Sequence, residues 1–345
     1  MATTREEVPI TIRIVPLSEK HLAPAAELLA ERQRQNRVTS PELPARFEKP
    51  AAAEAAIRAA LAREHAAGFA ALDGDRLVAY LIGDMVIDVL WGRSGWIRSA
   101  ACAYDPGHGV EPVRDLYTAL GERWLQFGVF YHVALMPVAD SALIGAWFSL
   151  SFGVEQVHAL QDLAGLSRRQ VVIPPGVELR RAGPDDGPHL ASMSEVIWST
   201  QIKAPVWAVM MPEYVASRAN AWSELAGDDE ATVWLAMRGD EPLALQAYWP
   251  AEPEGDSLMS PEACINLSVA ATRPEARGLG LGVALHEQIM DEARAAGYRY
   301  AETDWRSANL LSSRFWPRRG YRPVFYRLVR RLDQRIAWAI GAAPA

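Results

Sequence analysis

Two rhythms of hydrophobic and polar positions recur along this chain. Residues 10–15 and 177–181 place apolar side chains at every second position and read as short strands. Each is followed by segments with apolar residues three and four apart, at 22–30 and 54–66, then at 190–200 and 212–225, which predict amphipathic helices. A hairpin comes next in both places. Residues 69–72 and 77–82 flank Asp73-Gly74-Asp75, and residues 232–237 and 243–249 flank Arg238-Gly239-Asp240-Glu241. Both tips carry the Asp/Gly chemistry of tight turns. An apolar run at 265–271 then reads as a strand, 283–296 as a helix and 298–304 as a further strand. The order predicts a mixed α/β fold.

The pattern repeats with a constant register. His21-Leu22 falls on His189-Leu190, Asp105-Pro106 on Arg273-Pro274, and residues 130–133 on 298–301, all 168 positions apart. Asp140, Trp147 and Ser151-Phe152 fall on Asn309, Trp316 and Gly320-Tyr321, 169 apart. A register held over several points predicts two copies of one fold. They span residues 8–165 and 177–333, with Arg168-Arg169 and Pro174-Pro175-Gly176 between them as a linker.

The sharpest chemical signal is Arg277-Gly278-Leu279-Gly280-Leu281-Gly282, between a predicted strand and a predicted helix. Alternate glycines strip side chains from the turn, so backbone N–H groups can close on an anion with the positive helix end behind them. A tight connection without a ligand is one reading. A P-loop fails, because Val283 stands where Lys-Ser/Thr is needed. A dinucleotide turn fits Gly278, Gly280 and the acid at Asp304, but Gly282 comes one residue early and too little chain follows for the rest of such a sheet.

The run also fits R/Q-x-x-G-x-G/A and resembles the acyl-CoA pyrophosphate loop of the GNAT acyltransferase superfamily. Asn309, Trp316 and Gly320-Tyr321 follow at that family's spacing, and Thr272-Arg273-Pro274 matches the segment before its loop. The resemblance covers about residues 264–331. It implies two tandem GNAT-like domains and an N-acyltransferase. The donor would be acetyl-CoA, and the amine of a small molecule or a protein would attack the thioester directly. Arg277, Gly278, Leu279, Gly280, Leu281, Gly282 and Asn309 would hold the cofactor, and the backbone of Ala270, Ala271 and Thr272 would pair with its pantetheine arm. Asn309 equally suits a helix cap.

Two departures from the family concern the acid and the base. Trp316 stands where many members carry a Tyr that protonates the leaving thiolate; an indole N–H does not titrate usefully, so Trp316 reads as a wall of the cofactor site. Tyr321 or Tyr326 could substitute for the acid, although each reads first as a core or strand-face tyrosine. The strand before the loop, Ile265-Asn266-Leu267-Ser268-Val269-Ala270, has no carboxylate. Glu302 and Asp304 share one face of the next strand and are the candidate bases. In the first copy Gly109, Pro112 and Arg114 replace Arg277, Gly280 and Gly282. Pro112 has no N–H and Arg114 adds bulk, which predicts a non-catalytic first domain. The acceptor is expected over the helices at 190–225, with Trp198, Trp207, Met210 and Met211 as an apolar lining.

Composition narrows the classes. A net charge of −7 argues against a nucleic-acid binder, although eight arginines and interleaved aromatics fall between Arg314 and Arg335. Residues 1–7 lack a secretory pattern and no apolar run approaches ~20 residues, so a cytoplasmic location is expected; the two copies are expected to form an intramolecular pseudo-dimer, in a monomer or homodimer. Cys102 and Cys264 read as free, buried strand cysteines, and no histidine spacing suits a metal. A CoA-binding sensor without chemistry and a nicotinamide-dependent enzyme are the alternative functions.

Overall fold

The computed structural model describes residues 12–88, 92–166 and 170–341. The expected domain start at 8–11, part of the strand at 10–15 and Arg168-Arg169 of the linker lie outside the described residues.

The first half runs β1 (Ile12–Pro16), α1 (Leu22–Thr39), α2 (Pro50–Leu61), β2 (Ala67–Asp73), β3 (Arg76–Asp88), β4 (Gly92–Ile97), β5 (Cys102–Tyr104), α3 (Glu111–Gln126), β6 (Tyr131–Pro137), α4 (Ser141–Ser149) and β7 (Gly153–Asp162). The second runs β8 (Glu178–Arg181), α5 (Gly187–Gln201), α6 (Val215–Glu224), β9 (Thr232–Arg238), β10 (Glu241–Pro250), β11 (Cys264–Thr272), α7 (Leu281–Ala295), β12 (Tyr300–Arg306), α8 (Ser312–Arg318) and β13 (Arg322–Arg331), and α9 (Ile336–Gly341) follows. The order is the same in both halves, except that β4 and β5 stand where β11 is continuous. Equivalent residues do equivalent work. Asp140 caps α4 by accepting the Leu143 N–H at 2.9 Å, and Asn309 accepts the N–H groups of Leu311 and Ser312 ahead of α8. Ser151 and Gly320 both take a positive φ, of 65° and 100°. That turn sets Phe152 edge-on to Trp147 at 4.8 Å and Tyr321 edge-on to Trp316 at 5.3 Å.

The packed units are not contiguous in sequence. One comprises the chain up to Glu155 with Pro253–Met259 and the segment from Val324; the other comprises Gln156–Glu252 and Ser260–Pro323. Each half has given its last strand to the other unit. β13 pairs antiparallel with β6, from Phe325 opposite Pro137 to Arg331 opposite Tyr131. β7 pairs antiparallel with β12, from Asp162 opposite Tyr300 to Gln156 opposite Arg306. The first unit's sheet is therefore ordered β1-β2-β3-β4-β6-β13, with β5 on β3, and the second unit's β7-β12-β11-β10-β9-β8.

In the first unit Trp124 of α3 is buried against Gly83 and Gly95 of the sheet; a Cβ at either would come within 2.4 or 2.6 Å of its indole, so only glycine admits the ring. The segment Pro253–Met259 is clasped there too. Asp256, 3% exposed, accepts from Arg63 Nε at 2.6 Å and Nη2 at 2.8 Å, and Leu258 is fully buried. In the second unit, α5 and α6 cover one face of the sheet through Leu190, Met193 and Trp222 on Leu235 and Leu245. α7 covers the other through Leu281 and Leu285 on Leu243 and Ala244. Each buried leucine contributes about 1.5–3 kcal/mol. Cys102 and Cys264 are free and buried, as the sequence indicated.

Candidate functional site

β11 is the central strand of the second unit. Against β10, Ala247 lies opposite Val269 but Trp249 lies opposite Asn266, so Leu267 and Ser268 form a bulge in β11. Against β12, β11 pairs in parallel only over Cys264–Asn266, although both strands continue to Thr272 and Arg306. The strands part beyond a last bridge, in which Thr303 Oγ1 donates to the Leu267 carbonyl at 2.8 Å. A cavity of about 550 Å³ fills the wedge, with Ala270, Ala271 and Thr272 on one wall and Thr303, Asp304 and Arg306 on the other.

The glycine turn closes one end. After a turn at Pro274–Ala276 the chain passes Gly278 and Gly280, with φ of 82° and 81°. These left-handed conformations cost a residue with a Cβ about 1–2 kcal/mol, so backbone geometry, rather than space, demands glycine here. Gly282 differs: its φ is not left-handed, and an added Cβ would make ordinary contacts of 3.6 Å with Thr272 Oγ1 and Phe315. Gly280 caps α7, and its carbonyl takes the N–H groups of Val283 and Ala284. Among the described residues no backbone carbonyl takes the N–H of Gly278, Leu279, Gly280, Leu281 or Gly282. Unused N–H groups at the positive end of a 15-residue helix are suited to hold a phosphate.

Most of the residues expected at the cofactor site meet here. Arg277 lines the cavity; its Nε donates to the Thr272 carbonyl at 3.3 Å and its Nη2 to Thr200 Oγ1 at 3.1 Å. Gly278, Gly280, Leu281, Gly282, Asn309 and Trp316 line it as well. Leu279 is 38% exposed and stands outside the wall. Trp316 is buried, edge-on to Phe315, Tyr321 and His286.

The two carboxylates separate. Asp304 is exposed into the cavity. Glu302 stands two residues back, outside the wall, and accepts a hydrogen bond from Ser260 Oγ. Burial pushes its carboxyl above the usual carboxylate range, against the lowering effect of Ser260. Tyr321 is 1% exposed and also outside the wall, and burial drives its phenol well above its ordinary value. Tyr326 belongs to the first unit, paired with Met136.

The apolar lining expected from Trp198, Trp207, Met210 and Met211 needs correction. None of the four lines the cavity, and Trp207 and Met211 are 70% and 48% exposed. α5 ends at Gln201, and its last turns present Val196, Ile197, Thr200 and Gln201 instead. The sequence reading also missed Gln246, whose only signal is a lone amide in the apolar run 243–249.

In the first unit a side chain takes carbonyls of the matching strand. Arg32, 6% exposed, donates from Nη1 to the Cys102 carbonyl and from Nη2 to the Ser99 carbonyl at 2.5 Å. Those carbonyls correspond to Ala270 and Leu267. Around the matching loop, Asp105 accepts the Gly107 N–H at 2.9 Å, and Arg114 pairs with Glu111 at 2.8 Å.

Among the described residues no cluster of His, Cys, Asp and Glu could hold a metal ion, and no helix is long and apolar enough to cross a membrane. No curated protein matches the sequence significantly. Residues 196–321 match the model of the Acetyltransferase (GNAT) family. The chain is similar in fold to a GCN5-related N-acetyltransferase from Sphaerobacter thermophilus, with 13% identity and a TM-score of 0.58 over 93% of this chain and 95% of that one. It is also similar to a tandem GNAT protein from the clavulanic acid biosynthesis pathway, with 13% identity and a TM-score of 0.51 over 97% and 100%. The family match goes with the acyl-CoA reading of the glycine turn and not with the dinucleotide one. The segment from Val196 to Tyr321 is a domain of the GNAT acetyltransferase family, in a chain with the fold of tandem GNAT proteins.

Proposed function

We propose that the chain is an N-acyltransferase that moves an acetyl group from acetyl-CoA to an amine, with its one working site in the second unit. The observation that carries this reading is the coincidence of unused N–H groups at the start of α7 with the cavity between the parted strands β11 and β12. The pyrophosphate sits on the loop from Arg277 to Gly282, and Asn309 and Trp316 bound the cofactor. The pantetheine arm lies along Ala270, Ala271 and Thr272. The thioester reaches the bulge at Leu267 and Ser268, where a backbone N–H can polarise its carbonyl.

The acceptor enters past Thr200 and Gln201. Asp304, in the cavity wall, takes a proton from the ammonium directly or through water, and the neutral nitrogen attacks the carbonyl. Glu302, held by Ser260 outside the cavity wall, is the second candidate base. Collapse of the tetrahedral adduct expels the CoA thiolate; the nitrogen gives up its second proton to solvent, and the thiolate takes one from solvent because Trp316 cannot supply it. Arg32, Asp105 and the Arg114–Glu111 pair support the view that the first copy, within 8–165, binds no CoA.

Calorimetric titration with acetyl-CoA and with NADH tests the cofactor, and a thiol-release screen over small amines and lysine peptides tests the transfer. Acetyl-CoA binding with thiol release is expected. Binding of NADH instead overturns the assignment, and acetyl-CoA binding without thiol release for any amine leaves a CoA sensor.

A further inference from the structure

Gln246 lies on β10 opposite Ala270, with its side chain under the first turn of α7. It is 2% exposed and lines the cavity. Nε2 donates to the Gly282 carbonyl at 2.8 Å, and Oε1 is buried without a partner. The orientation of the amide follows from chemistry. Turned over, its oxygen would face the Gly282 carbonyl oxygen, and two acceptors would oppose each other. The donor end is therefore committed to the protein, and the acceptor end is left unpaired in a residue of the cavity wall. A buried acceptor without a donor costs about 1–3 kcal/mol, in a strand where Leu or Val would serve packing as well.

The acceptor end selects what can lie against it. Phosphate and thioester oxygens only accept hydrogen bonds, so neither satisfies Oε1. The pantetheine arm carries two amide N–H groups between those ends, and on the reading above it lies along Ala270, which faces Gln246 across the β10–β11 pair. Resting on the acyl-CoA reading above, we propose that Gln246 recognises the pantetheine arm by accepting a hydrogen bond from one of its amide N–H groups. It thereby distinguishes a pantetheine thioester from ligands that offer only the nucleotide.

The test compares CoA with adenosine 3′,5′-bisphosphate, which keeps phosphates and nucleoside but lacks pantetheine. By calorimetry Gln246→Leu should bind CoA about tenfold more weakly, the usual size of one such hydrogen bond, and the bisphosphate within twofold of the wild type. Equal losses for both ligands would assign Gln246 to holding the Gly282 loop alone and overturn the proposal. A ligand-side measurement on the unaltered protein guards against a folding defect. CoA analogues with each pantetheine amide in turn replaced by an ester lack one N–H each, and one of them should lose about tenfold in affinity. That loss should vanish in Gln246→Leu and in Gln246→Met. Undiminished affinity for both analogues, which is also the outcome if the pantoyl hydroxyl is the donor, overturns it. A wild-type protein that binds no CoA fails the acyl-CoA reading itself, whereas CoA binding without coupling to Gln246 fails this inference alone.

Discussion

Gly278, Gly280 and Gly282 look alike in sequence, yet the first two answer a left-handed φ and the third does not. The left-handed φ at Gly280 makes Gly280→Val a poor probe of ligand approach, because strain of about 1–2 kcal/mol enters before any ligand does. Gly282→Ala is the cleaner probe. Its Cβ meets neighbours at ordinary distance, so the melting temperature should stay within a degree or two while acetyl-CoA affinity falls at least tenfold. Unchanged affinity in the folded variant would remove the loop from the cofactor site. The carboxylates differ in the same way. Asp304→Asn should lower kcat by about 10²–10⁴-fold, as expected for a lost general base, with acetyl-CoA affinity preserved. Trp316→Phe should keep most of kcat, since the indole has no proton to give. A dead Trp316→Phe beside an active Asp304→Asn would reverse these roles. The loop and Asn309 were legible because spacing and glycine carry them. Gln246 was not, because one amide in an apolar strand has no motif and acquires meaning only when Gly282 and the cavity come beside it.

Among the elements, the repeated hairpins, helices and central strands were legible from periodicity, but the partner of each final strand was not. β7 and β13 follow equivalent helices, and a strand with a period of two fits the edge of either sheet equally well. What distinguishes the pairings is specific and distant: Glu155 reaches Arg327 Nε at 2.9 Å, and Asp162 reaches Arg299 Nη2 at 2.8 Å. β6 illustrates the consequence of being interior. All seven of its residues are buried, His132 included. Tyr117 O–H donates to His132 Nδ1 at 2.7 Å, and Nε2–H donates to the Val129 carbonyl at 3.2 Å, so the neutral ring is satisfied on both sides. Burial lowers its pKa from 6.5 to about 4. The unfolded chain binds the proton more readily, so this contribution to stability is complete above about pH 6.5. It fades as the pH falls toward 4, by about 3 kcal/mol in all. Chemical denaturation at a series of pH values should show that loss in the wild type and a flatter profile in His132→Gln. Parallel profiles would mean that His132 does not control the acid limb.

At the scale of the whole molecule, the duplicated fold has become unequal, and two measurements follow. Titration with acetyl-CoA should saturate at one site per chain, because Arg32 already occupies the carbonyls of Ser99 and Cys102, which correspond to Leu267 at the bulge and Ala270 on the pantetheine wall. A stoichiometry of two would show that the guanidinium gives way. The exchange of final strands makes a stronger demand, since neither half contains all the strands of one unit. Residues 1–166 lack β13, leaving the edge of the wholly buried β6 to water or to a mismatched strand. Residues 170–345 lack β7, which carries Asp162 to Arg299 and Gln161 to the Arg319 carbonyl. An unpaired, apolar strand edge invites aggregation. Each half expressed alone should therefore be poorly soluble or lack a cooperative melt, whereas the two expressed together should associate tightly and recover acetyl-CoA binding. Re-pairing of β7 with β6 or of β13 with β12 is the competing outcome, and it would bury similar backbone but separate both ion pairs from their partners. A half that melts cooperatively as a monomer, unchanged when the other is added, would establish that competing pairing as sufficient and the exchange as dispensable.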